Sequence, residues 1–244
     1  MKFKYFISIF IFINVFPLEL CFSQNNIDLM HSIINKYLDN RNQASINIKN
    51  DSFNINIGKI FSSKKEHAYV KYINKKGIDI GIFEIENNKT SNLPIKYIEV
   101  NNLEFINDTL VDINNDHLKE LLIHTYPNSG CCLRDKKTIY FYNTIKESFD
   151  DSLIFFNPQF LHNGIIISLN YGHSGETSLY KGIIKENVFE LQQVIEPINN
   201  EIKKYYLKSY INNKEISKEE ILKLPEVYLE LPQHYLNWFD GNLN

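Results

Sequence analysis

The sequence predicts a mainly β protein, either a propeller-like body or a sandwich of short antiparallel strands, with an N-terminal helix and a short C-terminal helix. Short stretches alternate polar and apolar residues, and turn-forming residues separate them at regular intervals. Aromatic residues make up 14% of the chain, which favours strands. Short, evenly spaced strands are typical of sandwiches and propellers.

The first 23 residues have the features of a signal peptide. Lys2 and Lys4 precede an apolar run over residues 6–16, and Cys21 and Ser23 are the small residues before a cleavage site at Gln24. The run is too short to span about 30 Å of hydrocarbon. We therefore expect export, to the periplasm or the outside, with no stable membrane insertion. Lipidation of Cys21 is the alternative.

Removing residues 1–23 from 244 leaves 221, which suits one β-rich domain over residues 24–244. Its first segment, residues 24–42, contains apolar residues at helical spacing. They are Ile27, Met30, Ile33, Ile34, Tyr37 and Leu38. The spacing predicts a helix from Ile27 to about Asn40, with Asn26 as N-cap and the apolar stripe packed on the body.

Residues 43–212 have the alternation typical of strands. A hairpin is predicted because Ile46 and Ile48, and then Phe53, Ile55 and Ile57, alternate with polar residues around a turn at Asn50-Asp51. Further turns are expected at residues 75–77 and 87–88. Further strands are predicted over residues 68–72, 78–82, 95–105, 121–126, 138–142, 153–156, 165–169, 177–184 and 188–194.

The last segment, residues 213–244, is predicted to be a helix and a tail. Ser217 and Glu220 form a capping box, and Pro225 ends the helix that would follow it. A last strand is expected over residues 226–231, and Trp238 and Phe239 would close the core.

Charge excludes two classes of partner. The net charge is −3, and no basic run occurs. Nucleic acid and anionic membranes are therefore not expected as partners, because both attract clustered positive charge. A protein partner remains open.

Oxygen-bearing side chains recur at every second position in Asp112, Asn114 and Asp116, and Glu120 follows. Calcium takes roughly six to eight oxygen ligands, and an acidic loop can converge them, with the Leu118 carbonyl as a further ligand. We predict one calcium ion at these five residues, with a structural role.

The loop departs from a twelve-residue EF-hand loop at two positions. His117 stands at the glycine position, where a positive φ is needed and which His tolerates, and Ile123 stands at the last glutamate position. The loop would then close at Glu120. The alternative is a polar turn whose Asp and Asn side chains bond their own backbone.

Residues 110–143, with this loop followed by a Glu-Leu-Leu-Ile strand, resemble the calcium loops of FG-GAP-type (VCBS-like) β-propeller blades. They are also similar to small exported propeller-like proteins with one EF-hand-like loop, some of which inhibit lysozyme-like effectors in the periplasm. The resemblance implies ligand roles for Asp112, Asn114, Asp116 and Glu120. It also implies an inhibitor of a cell-wall hydrolase, which would be a non-enzymatic binding protein. A structural module of the cell surface with calcium as its only ligand is the alternative.

Two adjacent cysteines, Cys131 and Cys132, follow this loop. A disulfide between neighbours is strained, because their Cα atoms lie only about 3.8 Å apart. The alternatives are a reactive pair or two thiols that point to opposite sides. Zinc held by both thiols and His124 is a further option.

The loop over residues 171–177 places Ser174 beside His173 and near Glu176. These residue types occur in hydrolases, but the spacing is not that of the Gly-x-Ser-x-Gly nucleophile turn. A hairpin turn that could contact a partner explains the pattern better. We therefore predict no catalytic residues and no enzymatic activity, and a hydrolase that uses the 171–177 loop is the alternative.

Overall fold

A computed structural model describes residues 24–39, 45–198 and 204–241. The chain is mainly β with antiparallel sheets, and it has a helix near each end, which confirms the coarse fold prediction. No described helix is both long and apolar enough to cross a bilayer. The predicted signal peptide lies outside the described residues.

The chain divides into two compact units, with the boundary between Asn102 and Leu103. Each unit has its own sheets and its own buried apolar cluster. The single domain predicted over residues 24–244 stays a prediction.

The first unit is a six-stranded sheet with a helix, α1, over residues 24–38. Strands β1 to β4 pair in chain order, and β5 and β6 both pair with β4. The strands are β1 Ile46–Lys49, β2 Phe53–Gly58, β3 Glu66–Ile73, β4 Gly77–Glu86, β5 Lys89–Thr90 and β6 Lys96–Asn101. The hairpin predicted around Asn50 is confirmed, since Ile48 pairs with Ile55.

Helix α1 packs its apolar stripe into the core of this unit, as its spacing predicts. Met30 and Ile34 are fully buried in one cluster with Ile55, Val70 and Phe83. The predicted N-cap is wrong. Asn26 lies inside the helix, and its side-chain amide donates a hydrogen bond to Asp79 Oδ2 at 2.8 Å. The preference of Asn for the capping position is overridden here, because the folded chain gives Asn26 a hydrogen-bond partner in Asp79.

The second unit contains a four-stranded sheet in the order β12-β9-β8-β7, a two-stranded β10-β11 ribbon, and a six-stranded meander from β13 to β18. The first six strands are β7 Phe105–Val111, β8 Glu120–Thr125, β9 Lys136–Tyr140, β10 Tyr142–Asn143, β11 Ser148–Phe149 and β12 Leu153–Phe156. The last six are β13 Pro158–Phe160, β14 Ile165–Leu169, β15 Leu179–Lys185, β16 Val188–Pro197, β17 Tyr205–Ile211 and β18 Lys214–Ile221.

The C-terminal segment differs from the sequence prediction. The helix expected after Ser217 is wrong, because Lys214–Ile221 is strand β18 and Ser217 pairs with Ser209 of β17. The strand expected over residues 226–231 is also wrong, since Glu226–Glu230 is a 3-10 helix. In both cases tertiary contacts override a local signal.

The short C-terminal helix, α2, lies at Gln233–Phe239. Tyr235, Leu236 and Phe239 are buried in a cluster with residues of the meander such as Leu169 and Ile195. Burial of this face, more than helix propensity, stabilises so short a helix.

Asparagine occupies most of the tight turns. Eight of the eleven described non-glycine residues with positive φ are Asn, while the whole chain contains only nine glycines. Asn87 and Asn88, with φ of 51° and 60°, form the predicted turn between β4 and β5. Asn tolerates the left-handed region better than most side chains, so it takes positions where Gly is the usual choice.

Candidate metal-binding sites

The predicted calcium loop connects β7 to β8. Val111 ends β7 and pairs with Glu120, the first residue of β8, so the loop closes between two hydrogen-bonded strands. Asn115 and His117 have φ of 63° and 68°. His117 therefore adopts the left-handed conformation expected at the glycine position of the loop. Ile113 is buried in the core of the unit and anchors the loop.

Hydrogen bonds order the loop from within. The Asp116 amide donates to Asn114 Oδ1 at 3.0 Å, and the Leu118 amide donates to Asp116 Oδ1 at 2.8 Å. The His117 amide donates to Asp112 Oδ2 at 3.0 Å. These side-chain-to-backbone bonds occur in polar turns as well as in cation loops, so they do not distinguish the two interpretations.

Two carboxylates of this loop have buried oxygen atoms. Asp112 Oδ1 is buried and has no hydrogen-bond partner among the described residues. Glu120 is only 3% exposed, and its Oε2 accepts a hydrogen bond from the Ile113 amide at 2.6 Å. An unpaired buried carboxylate oxygen is costly, and a hard cation would compensate it.

The electrostatics of Glu120 point the same way. Burial raises the pKa of Glu120 to about 7; the Ile113 amide opposes this rise, and the charges of Asp116 and Asp112 add to it. Like charges near one another disfavour ionisation unless a positive charge lies between them. The oxygen donor set thus fits calcium chemically.

The Asp112, Asp116 and Glu120 side chains do not bring three ligand atoms within 4.8 Å of one another. Among the described residues, a group of three ligand atoms this close together occurs elsewhere. Its members are Cys131, Cys132 and His173. A cation in the 112–120 loop would have to bring the Asp112, Asp116 and Glu120 oxygens closer together.

The Cys131, Cys132 and His173 cluster joins two connections of the second unit. The cysteines lie between β8 and β9, and His173 lies between β14 and β15. His173 Nδ1 is 3.8 Å from Cys131 Sγ and 3.9 Å from Cys132 Sγ. Both thiols are free; Cys131 is exposed and Cys132 is 4% exposed. A hydrogen bond with Cys131 raises the pKa of the Cys132 thiol, burial adds to the rise, and the charge of Arg134 opposes it.

The sequence pattern suggested the wrong histidine for this cluster. His124 lies on β8, and its Nε2 is in hydrogen-bond contact with Oδ1 of Asp135. In the sequence, His173 stands out only as the neighbour of Ser174. No local spacing indicates the pairing, because 41 positions separate Cys132 from His173.

Ser174 does not have the contacts of an activated nucleophile. Its hydroxyl donates to the Trp238 carbonyl at 3.0 Å, whereas His173 faces the two thiols. The backbone amide of Glu176 donates a hydrogen bond to the His173 carbonyl at 3.1 Å. The arrangement is that of a braced turn, since a nucleophile needs a base within hydrogen-bond reach.

Known proteins offer little similarity to this chain. Neither family models nor curated proteins match the chain. Among solved structures, one described as a Xanthomonas type IV secretion system related protein is similar over 74% of this chain and 94% of its own. The identity is 11% and the TM-score is 0.36, values too low to support an argument about fold or function.

Proposed function

We propose that the protein is an exported, non-enzymatic binding protein whose 112–120 loop holds one structural calcium ion. The observation that carries the calcium proposal is the buried, unpartnered Oδ1 of Asp112 in a loop with the buried Glu120. Asp112, Asn114, Asp116 and Glu120 would supply side-chain oxygens, and Leu118 its carbonyl. The ion would fix the connection between β7 and β8.

The proposed partner is a cell-wall hydrolase, and the protein would act as its inhibitor. This part rests on the resemblance of residues 110–143 to exported propeller-like proteins, and we extend it to a propeller-like body. An inhibitor needs a rigid scaffold that presents loops. The braced 171–177 loop, which contains the exposed Tyr171, is the kind of surface that such a scaffold offers.

The calcium proposal is tested by thermal unfolding of the purified protein with calcium and with a chelator. A ligand that binds only the folded state adds roughly 2.7 kcal/mol at 100 times its dissociation constant. For a chain of this size, that corresponds to a rise of roughly 5–10 °C in melting temperature. The Asp116→Ala variant should lose the rise.

The matched control is Asp151→Ala, which removes another exposed aspartate of the same unit. It should keep the calcium response of the unmodified protein. Equal melting temperatures with calcium and chelator would identify the loop as a polar turn, and the resemblance would lose its main support.

Inhibition is tested separately, with a lysozyme-type hydrolase acting on purified peptidoglycan. The expected result is stoichiometric loss of hydrolysis when the protein is added with calcium. Full hydrolysis at a large molar excess, across a panel of such enzymes, would contradict inhibition and favour a structural module of the cell surface.

A further inference from the structure

We propose that Cys131, Cys132 and His173 form a binding site for a soft metal ion, Zn²⁺ or Cu⁺, with two thiolates and one imidazole as ligands. The site is separate from the calcium loop, and its test does not depend on the inhibitor proposal, although His173 lies in the 171–177 loop named there. Thiolate and imidazole ligands suit these two ions, whereas the oxygen ligands of the 112–120 loop suit calcium.

The spacing of the ligand atoms is close to what a metal ion requires. Zinc lies about 2.3 Å from a thiolate sulfur and about 2.1 Å from an imidazole nitrogen, so a tetrahedral ion separates the two atoms by roughly 3.6 Å. His173 Nδ1 lies 3.8 and 3.9 Å from the two sulfurs. All three ligand atoms, including the two sulfurs, lie within 4.8 Å of one another, so side-chain rotations would bring them around one ion.

The cysteine side of the site is braced by Arg134. Its guanidinium Nη1 donates to the Gly130 carbonyl at 3.1 Å and to the Cys132 carbonyl at 3.3 Å, and Nε donates to the Pro127 carbonyl. The guanidinium also lies 4.7 Å from the centre of the Tyr126 ring. The backbone on both sides of Cys131 is therefore fixed before any ion binds.

The histidine side is braced by Trp238 of α2. The Gly175 amide and the Ser174 hydroxyl both donate to the Trp238 carbonyl, at 2.9 and 3.0 Å. The Trp238 indole donates to the Gly172 carbonyl at 3.0 Å. Residues on both sides of His173 are thus tied to one helix, and a braced pair of loops lowers the ordering cost of metal binding.

The site is open on one side. Cys131 and His173 are exposed and Cys132 is buried, so an ion can enter from solvent and can keep a water molecule as a further ligand. Binding displaces the two thiol protons to solvent, and two thiolates balance the charge of Zn²⁺. A disulfide between Cys131 and Cys132 would be the competing state of the same sulfurs.

The test is metal titration of the reduced, metal-free protein under anaerobic conditions with calcium present. Zn²⁺ and Cu⁺ are each titrated in competition with a chromophoric chelator, and Co²⁺ serves as a spectroscopic probe. The expected result is one ion per chain and a sulfur-to-cobalt charge-transfer band. Bound Zn²⁺ should also slow alkylation of Cys131. The ion with the lower dissociation constant is the one that the site prefers.

Variants assign the ligands. Cys131→Ser, Cys132→Ser and His173→Gln should each weaken binding at least about tenfold, the scale on which metal sites respond to loss of a supporting group. His162→Gln removes another exposed histidine of the same unit and should bind as the unmodified protein does. Melting of the metal-free variants checks that each is folded.

Two results would overturn the site. One is the absence of one-to-one binding of either ion by the fully reduced protein. The other is binding that His173→Gln weakens no more than His162→Gln does. Neither result would affect the calcium loop, which the melting experiment tests separately.

Discussion

A neutral histidine is buried in the first unit. His67 on β3 is fully buried, and its ring packs edge-on against Phe61 with centroids 5.6 Å apart. Burial lowers the pKa of His67 to about 4; the charge of Glu84 opposes this shift, and that of Lys65 adds to it. The side chain is therefore uncharged at neutral pH.

This histidine makes stability depend on pH. The folded pKa of about 4 lies below the ordinary value of 6.5, so the unfolded chain takes up the proton first as the pH falls. The contribution is fully present above pH 6.5 and is lost as the pH falls toward 4. The total loss is on the order of 3 kcal/mol.

Urea unfolding at several pH values should show this loss of stability, and the His67→Gln variant should no longer show it. An unchanged slope in that variant would contradict the prediction.

Glu120 makes stability fall as the pH rises when calcium is absent, which is the opposite of the effect of His67. Its folded pKa of about 7 exceeds the ordinary 4.5, so the folded state favours the neutral carboxyl. Glu120→Gln mimics that neutral form and can still accept the Ile113 amide hydrogen bond. In chelator at about pH 8, we expect the variant to have a higher melting temperature than the unmodified protein. Its free energy of unfolding should be higher by roughly 1–3 kcal/mol.

The same variant should lose the stabilisation by calcium, because the amide is a weaker ligand than a carboxylate. Glu190→Gln, which alters a partly exposed glutamate of the same unit, is the control. Lower stability of Glu120→Gln in chelator would show that the buried charge is compensated within the protein.

At the scale of elements, α1 contributes to stability through one face. Ile34 is fully buried among β-strand residues, and Leu29 on the other side of the helix is 40% exposed. Ile34→Ala should cost roughly 2–4 kcal/mol through lost burial and the cavity left behind. Leu29→Ala should change the unfolding free energy by roughly 0.5 kcal/mol or less. Chemical denaturation measures both, and similar costs would contradict the packing of this helix.

Elements defined by their own pattern were predictable from sequence. The β1–β2 hairpin is an example, because Ile46 and Ile48 alternate in phase with Ile55 and Ile57 about a turn. Strand β18 was not predictable in this way. Ser217 and Glu220 form a capping pattern, but β17 offers a complete ladder of partners, and only the tertiary structure contains that information.

The two candidate metal sites also differ in how far the sequence alone could predict them. The 112–120 loop is local, so its ligand types and the left-handed conformation of His117 could be anticipated. The cluster of Cys131, Cys132 and His173 depends on two loops that are brought together by the packing of separate strands. Its adjacent cysteines were singled out in the sequence, but His173 was not assigned to them.

At the scale of the whole molecule, each compact unit has a separate core. Calcium in the 112–120 loop would act inside the second unit. We expect a chelator to speed amide hydrogen exchange in β7 and β8, the strands that flank the loop, and to leave exchange in α1 and β4 unchanged. Exchange that rises equally in all four elements would contradict a local role for the ion.

The asparagine turns have a consequence for the chemical ageing of the molecule. Asparagine is thermolabile, because its side-chain amide can be hydrolysed to aspartate. Aspartate also tolerates positive φ, so a turn such as Asn87-Asn88 can survive the conversion. Each conversion adds one negative charge to a net charge of −3. Stored protein should therefore become a series of increasingly acidic forms, which isoelectric focusing would separate.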